Sequence, residues 1–396
     1  MKYDFDKIVS REGTCAEKTD RLMQLFGRND LISMWVADMD FETAPSIVDA
    51  ISQKADKGVF GYTVAPDEYF DAVCSWWRRR HDFHMRKEWI ICSTGVVPVI
   101  SSVIRKLTTA GENVLIQPPV YNIFYNCIRN NGRHPLENGL VYANGNYSID
   151  FDDLERKLAD PQTSLMLLCN PHNPVGKVWN RETLSRIGCL CARHNVLVVS
   201  DEIHCDLTRP GTDYTPFAGV SDVCEQNSIT CIAPTKTFNL AGLQTAAAVV
   251  PNPVLRHKVS RGLNTDEVAE PNAFAVEATI AAFTGGESWL QELKAYIQQN
   301  KDTAADYIGQ HIPEIRVVRS DATYLVWIDC SALACPSDEL CRFIRKETGL
   351  LLSAGSDYGP NGEYFLRMNV AAPRNRILDG LSRLKNGIHQ YIGTIQ

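Results

Sequence analysis

The 396-residue chain has no stretch of ~18 apolar residues with which a helix could cross a bilayer. Its first residues, "MKYDFDKIVSREGT", lack the apolar core of a signal peptide. No membrane partner and a cytoplasmic location are therefore expected. Positive charge is scarce as well: 40 lysines and arginines against 47 acidic residues leave a net charge of −7. A nucleic acid or an anionic surface would call for a concentrated basic face, so neither is an expected partner. The single basic run, Arg78-Arg79-Arg80, reads as the wet side of a helix. Internal repeats and low-complexity linkers are absent. Cysteine is not scarce, but its 13 copies follow no regular spacing, and Cys169 and Cys231 sit inside apolar runs. They read as small buried hydrophobes in a reducing compartment, without disulfides. The one cluster, Cys189-x-Cys191-x-x-His194, has no second ligand pair, and no metal site is expected.

What is present is an ordinary globular composition, 44% hydrophobic and 22% charged, over a length that exceeds what one hydrophobic core fills. One large and one smaller unit are expected: an N-terminal segment 1–45, a large domain 46–284 and a small C-terminal domain 285–396. In the large unit, apolar runs at 113–117, 164–169, 196–200, 228–233 and 245–250 alternate with segments of helical period such as Arg181 to Asn195. Continuous apolar strands separated by helices predict an α/β fold with a mostly parallel sheet covered on both faces. Beyond about 285 the pattern changes to a long helix (Ser288 to Ile308), strand-like "IRVVRS", "TYLVWIDC" and "YFLRMNV", and a helix at 337–348, which predicts a smaller α+β unit.

Four of the predicted strands end in polar or constrained loops: "QPPVY", "CNPHNPVGK", "SDEIH" and "APTK". In parallel α/β sheets ligands bind at the carboxyl ends of strands, so these loops converge on one site. Taken singly, Lys236 reads as a surface-loop lysine, Asp201 as a cap and Tyr121 as loop packing. Together they suit covalent chemistry. A partly desolvated Lys236 amine can act as a nucleophile that forms a Schiff base. An Asp201 carboxylate at a strand end can keep a pyridinium nitrogen protonated, as an electron-sink cofactor requires. An apolar strand ending in "DE" also suits a P-loop nucleotidase, but "NPHNPVGKV" has Pro171 where the first glycine belongs and Val178 where the hydroxyl belongs. Thr94 and Gly95 precede a helical stretch whose start can bind a phosphate or simply be an N-cap. Two Asn-Pro pairs stiffen the loop that carries Asn173. Arg367, on an alternating strand, either grips a carboxylate or faces outward in a salt bridge.

The set "STG", "PPVY", "NPHNPVGK", "SDEIH", "TKTFNLAG" and "FLRMNVAAPR", in this order and spacing, resembles the fold-type-I pyridoxal-5′-phosphate (PLP) enzymes of the class I/II aminotransferase superfamily. "MWVADMDF", "FGYT" and "SDEIH" resemble its cystathionine β-lyase, or carbon–sulfur lyase, branch. The resemblance implies that Lys236 binds PLP covalently and later acts as general base, with Asp201 on the ring nitrogen. It further implies that Asn173 donates to the phenolic oxygen and that Tyr121 stacks on the ring. The Gly95 and Val96 amides and the Thr235 hydroxyl would hold the phosphate, with His204 beside the cofactor oxygen. Arg367 would bind the substrate carboxylate. Tyr62 would reach a neighbouring subunit's phosphate and share in substrate binding, which implies a homodimer with shared sites. Gln244 and Ala233 stand where aminotransferases commonly have an arginine and a serine. β-Elimination from a cysteine S-conjugate is the expected reaction; transamination, and a regulatory binding role, stay open.

Overall fold

The computed structural model describes residues 2–395. The five predicted apolar runs form the strands Asn113–Ile116, Thr163–Cys169, Leu197–Asp201, Ser228–Ile232 and Ala246–Val249. They belong to a seven-stranded sheet that starts with Ile90–Ser93, runs through Ala246–Val249, Ser228–Ile232, Leu197–Asp201, Thr163–Cys169 and Asn113–Ile116, and ends with His134–Glu137. Neighbours are parallel except at Ala246–Val249, which is antiparallel to both strands beside it. Two members carried no sequence signal. Ile90–Ser93 has only two of its four residues buried. His134–Glu137 is a part-exposed edge strand containing Pro135, which an edge tolerates because the missing N–H can face away from the sheet.

Period-2 alternation sorts the strand residues onto two cores. Leu165, Leu167 and Cys169 pack with helices Val96–Leu107, Ile123–Asn130 and Pro253–Thr265 on one face. Met166 and Leu168 pack with Phe151–Leu158 and Arg181–Arg193 on the other. Each such side chain taken fully out of water contributes roughly 2 kcal/mol. That double burial makes the strands read as continuous apolar runs, and it leaves their ends as the place for polar residues.

The predicted long helix is Glu287–His311, after which a four-stranded antiparallel sheet follows the order Arg316–Val317, Leu325–Asp329, Phe365–Asn369, Ser353–Ala354. Helices Ser337–Thr348 and Arg374–Ile395 bury Leu340, Ile344, Ile377, Leu381 and Leu384 in its core. From the N-terminal segment, Ile32–Ser33 pairs in parallel with Leu350–Leu351, and residues 35–38 run on from there. No helix among the described residues is long and apolar enough to cross a membrane.

The basic run is only partly a wet face. Three successive residues sweep about 200° around a helix, so Arg78 and Arg79 of helix Asp67–His81 stay exposed while Arg80 turns inward. Its Nε donates to Asp206 Oδ1 at 2.9 Å, and its guanidinium lies 4.9 Å from the Trp76 ring centroid. Asp206 also accepts from Trp76 Nε1 at 3.0 Å and bonds His81 Nε2 at 3.1 Å. Burial pushes the Asp206 carboxyl up, but His81 and Arg80 outweigh it and hold the group well below the usual range. This hub fixes the segment that continues from Asp201 through His204.

Candidate active site

A cavity of about 990 Å³ lies where the carboxyl ends of the large sheet meet the small sheet. Nine of the ten residues singled out from the sequence line it: Gly95, Val96, Tyr121, Asn173, Asp201, His204, Thr235, Lys236 and Arg367. Tyr62 does not; its ring is fully exposed, on a segment where Val59, Phe60 and Val64 are exposed too.

Lys236 sits in the turn after Ser228–Ile232, and its Nζ donates to the Ala37 carbonyl at 2.6 Å. Burial pushes the amine down to about 8; Asp38 opposes the shift, Arg367 adds to it and Asp201 opposes it. Asp201 ends its strand and is 5% exposed. One oxygen accepts the Ile203 N–H at 3.2 Å. Burial raises its carboxyl to about 6, against that bond and the charge of Lys236. Buried Asp201 thus carries a negative charge that no cation among the described residues pairs with.

His204 is buried and its Nδ1 has no partner; burial first, then Lys236 and Arg367, lower it to about 3, so the ring is neutral at ordinary pH. Tyr121 packs edge-on to Phe124, with centroids 5.9 Å apart, and burial with the nearby Asp201 charge raises its hydroxyl to about 12. Helix Val96–Leu107 starts at the cavity with Gly95 before it and no side-chain cap, so no side chain takes up its first N–H groups.

Arg367 corrects the alternating-strand reading. All five residues of Phe365–Asn369 are buried, because the face opposite the helices is covered by an aromatic core at Phe365, by the cavity at Arg367 and by residues 36–38 at Asn369. Arg367 is 5% exposed and in no ion pair among the described residues. It donates to the Trp35 carbonyl at 2.6 Å, Ser353 Oγ at 3.3 Å and Asn173 Oδ1 at 3.5 Å, and lies 4.9 Å from the Tyr358 ring centroid. Its Nε is buried without a partner. An unmet buried guanidinium N–H suits a carboxylate that takes two parallel bonds. Arg367→Lys, which keeps the charge and loses the fork, is expected to raise KM about tenfold with a smaller change in kcat in steady-state kinetics.

Several contributors had no signal of their own in the sequence. Asp38 accepts Arg11 at 2.6 and 3.0 Å and faces Lys18 at 3.5 Å. Lys18 is buried and bonds Asp40 at 2.9 Å. Tyr324 donates at 2.9 Å to the same Ala37 carbonyl that receives Lys236. The neighbouring carbonyls of Val36 and Asp38 each accept the Asn369 amide at 2.6 Å. The stretch "MWVADMDF" marks where these contacts fall, but nothing in it announces backbone acceptors or pairs it with residues 11 and 18.

The donor set fits a phosphorylated pyridine aldehyde: an amine to bind it, an unpaired buried acid, an orphaned imidazole nitrogen and a helix start without a side-chain cap. The model of a family described as aminotransferase class I and II matches residues 29–383. The cystathionine beta-lyase PatB of Bacillus subtilis (strain 168) is 44% identical over 382 residues, which covers 96% of this chain and 99% of that one. Cystalysin from Treponema denticola, whose crystal structure contains a pyridoxal 5′-phosphate cofactor, superposes with a TM-score of 0.95 at 31% identity, covering 98% of this chain and 100% of its own. The PLP-bound C–S lyase of Staphylococcus hominis does so with a TM-score of 0.90 at 32% identity, covering 97% and 98%. With the family match running through the sheet, the Lys236 turn and the Arg367 strand alike, the chain belongs to the aminotransferase class I and II family.

Proposed function

We propose that the protein is a PLP-dependent carbon–sulfur β-lyase that cleaves L-cystathionine or related L-cysteine S-conjugates to pyruvate, ammonia and a thiol. The observation that carries the reading is a buried lysine amine, lowered to about 8, in one cavity with an unpaired acid and an arginine that has an unmet N–H. Lys236 would hold pyridoxal 5′-phosphate, with Asp201 toward the ring nitrogen, Tyr121 against the ring, Asn173 and His204 beside the phenolic oxygen, and Gly95, Val96 and Thr235 on the phosphate. When bound, that group supplies a sink for the electron pair left at Cα.

The chain's own residues do the rest. Arg367 takes the substrate α-carboxylate through its fork and fixes the Cα–H direction. Lys236, as the neutral amine, removes the Cα proton; burial keeps a useful fraction of it neutral near pH 8. The Cβ–S bond then breaks, sulfur leaves with the bonding pair and is protonated, and water completes the conversion of the remaining carbon skeleton to pyruvate and ammonia. No oxidant or reductant is consumed.

The same reading places the protein in the cytoplasm, which its thirteen free cysteines support, and makes it a homodimer. The support for the dimer is the exposed apolar segment around Tyr62, whose ring would reach the partner's phosphate site and substrate. The test is incubation with L-cystathionine: pyruvate and thiol are expected in equal amounts, from a yellow enzyme whose chromophore is bleached by borohydride. Glutamate formed from an amino acid plus 2-oxoglutarate, without thiol release, would replace elimination by transamination.

A further inference from the structure

Beside the cavity lies an open groove of about 330 Å³, and Asn122 and Asp357 line both. The two spaces therefore adjoin across these two residues, and the groove is the polar space next to the cavity on that side. The groove is walled by helix Ile123–Asn130, the edge strand His134–Glu137 and the turn Gly355–Tyr358.

Three charged side chains face it: Arg129, Glu137 and Asp357. Glu137 is engaged, since its Oε1 accepts the Tyr125 hydroxyl at 2.7 Å. The other two are not. Arg129 is exposed, lies 5.2 Å from the Tyr125 ring centroid and joins no ion pair among the described residues. Asp357 is exposed and likewise joins none; Arg367, inside the cavity, is the positive charge that acts on it. Arg129 and Asp357 thus line a single groove without an ion pair among the described residues, and Glu137 beside them is held only by a tyrosine hydroxyl.

Resting on the lyase reading above, we infer that this groove is the subsite for the leaving half of the substrate, with Asp357 taking a distal ammonium and Arg129 a distal carboxylate. With the α-carboxylate on Arg367, a thioether chain leads out past the shared rim at Asn122 and Asp357. A leaving group that is itself an amino acid ends there in one positive and one negative group, the complement of the two free side chains. The site thereby favours conjugates with a zwitterionic end over plain S-alkyl cysteines.

The test uses the holoenzyme, Asp357→Asn and Arg129→Gln with four substrates: S-ethyl-L-cysteine, S-(2-aminoethyl)-L-cysteine, S-(2-carboxyethyl)-L-cysteine and L-cystathionine. The readout is kcat/KM for pyruvate release, expressed relative to the S-ethyl compound to cancel any general effect. Asp357→Asn is expected to lower the aminoethyl ratio roughly fivefold and spare the carboxyethyl ratio, and Arg129→Gln to do the reverse, as suits exposed ion pairs. Both variants should lower the cystathionine ratio through KM. Ratios that stay within about twofold of wild type, or that fall without regard to the sign of the distal charge, overturn the subsite. Pyruvate from S-ethyl-L-cysteine with unmoved ratios removes the groove alone, whereas no pyruvate from any of the four removes the lyase reading with it.

Discussion

Lys236→Ala is expected to lower kcat for pyruvate release by about 10³- to 10⁴-fold, the range that a positioned base supplies, and to leave KM within a few-fold of wild type. The split follows from the geometry. Arg367 lies on the small sheet, is anchored by Trp35, Ser353 and Asn173, and makes no hydrogen bond to the lysine. A second signature is the pH profile. The amine works when neutral, so in the wild type kcat should be lost as pH falls through about 8. That limb should vanish from whatever turnover the variant retains. Borohydride should no longer fix the chromophore to the chain. A variant within tenfold of wild type would show that another group moves the proton.

Asp201→Asn is expected to cost about 10² to 10³ in kcat while making the cofactor-free protein more stable. Asp201 titrates at about 6 in the fold against an ordinary 3.8. Between those values the folded chain binds more protons than the unfolded chain. Stability from this group is therefore fully present below about pH 4 and is lost as pH rises through 6, leaving a deficit of ~3 kcal/mol on the alkaline side. Asparagine has no charge to strand. Urea titrations of the two cofactor-free proteins should thus coincide near pH 4 and separate by about that amount at pH 7.5. Equal midpoints at both pH values would mean that the carboxylate is already compensated inside the fold.

Much of this arrangement was legible in the amino-acid sequence, and what was not has physical reasons. The five apolar runs were readable because strands buried on both faces need no polar alternation, and the polar loops at their ends marked the mouth. Ile90–Ser93 has only two of its four residues buried, and His134–Glu137 was too wet to stand out. The alternation around Arg367 left an outward-facing salt bridge open, yet Phe365–Asn369 is buried throughout, because an aromatic core, the cavity and residues 36–38 cover that face in turn. Arg80 was misread because a run of like charges does not reveal that its third member has rotated toward Asp206. Arg11 and Lys18 reach Asp38 and Asp40 across loops with no periodicity to follow.

The carbonyls of residues 35–38 hold Arg367, Asn369, Lys236 and Tyr324 at once. Atoms common to every amino acid serve as the template there, so a library that randomises Val36 or Ala37 would sample packing while the acceptors stay in place. Deleting one residue is another matter. It would shift each oxygen by up to ~3.3 Å, the reach of one residue, and put both halves of the pocket out of frame together.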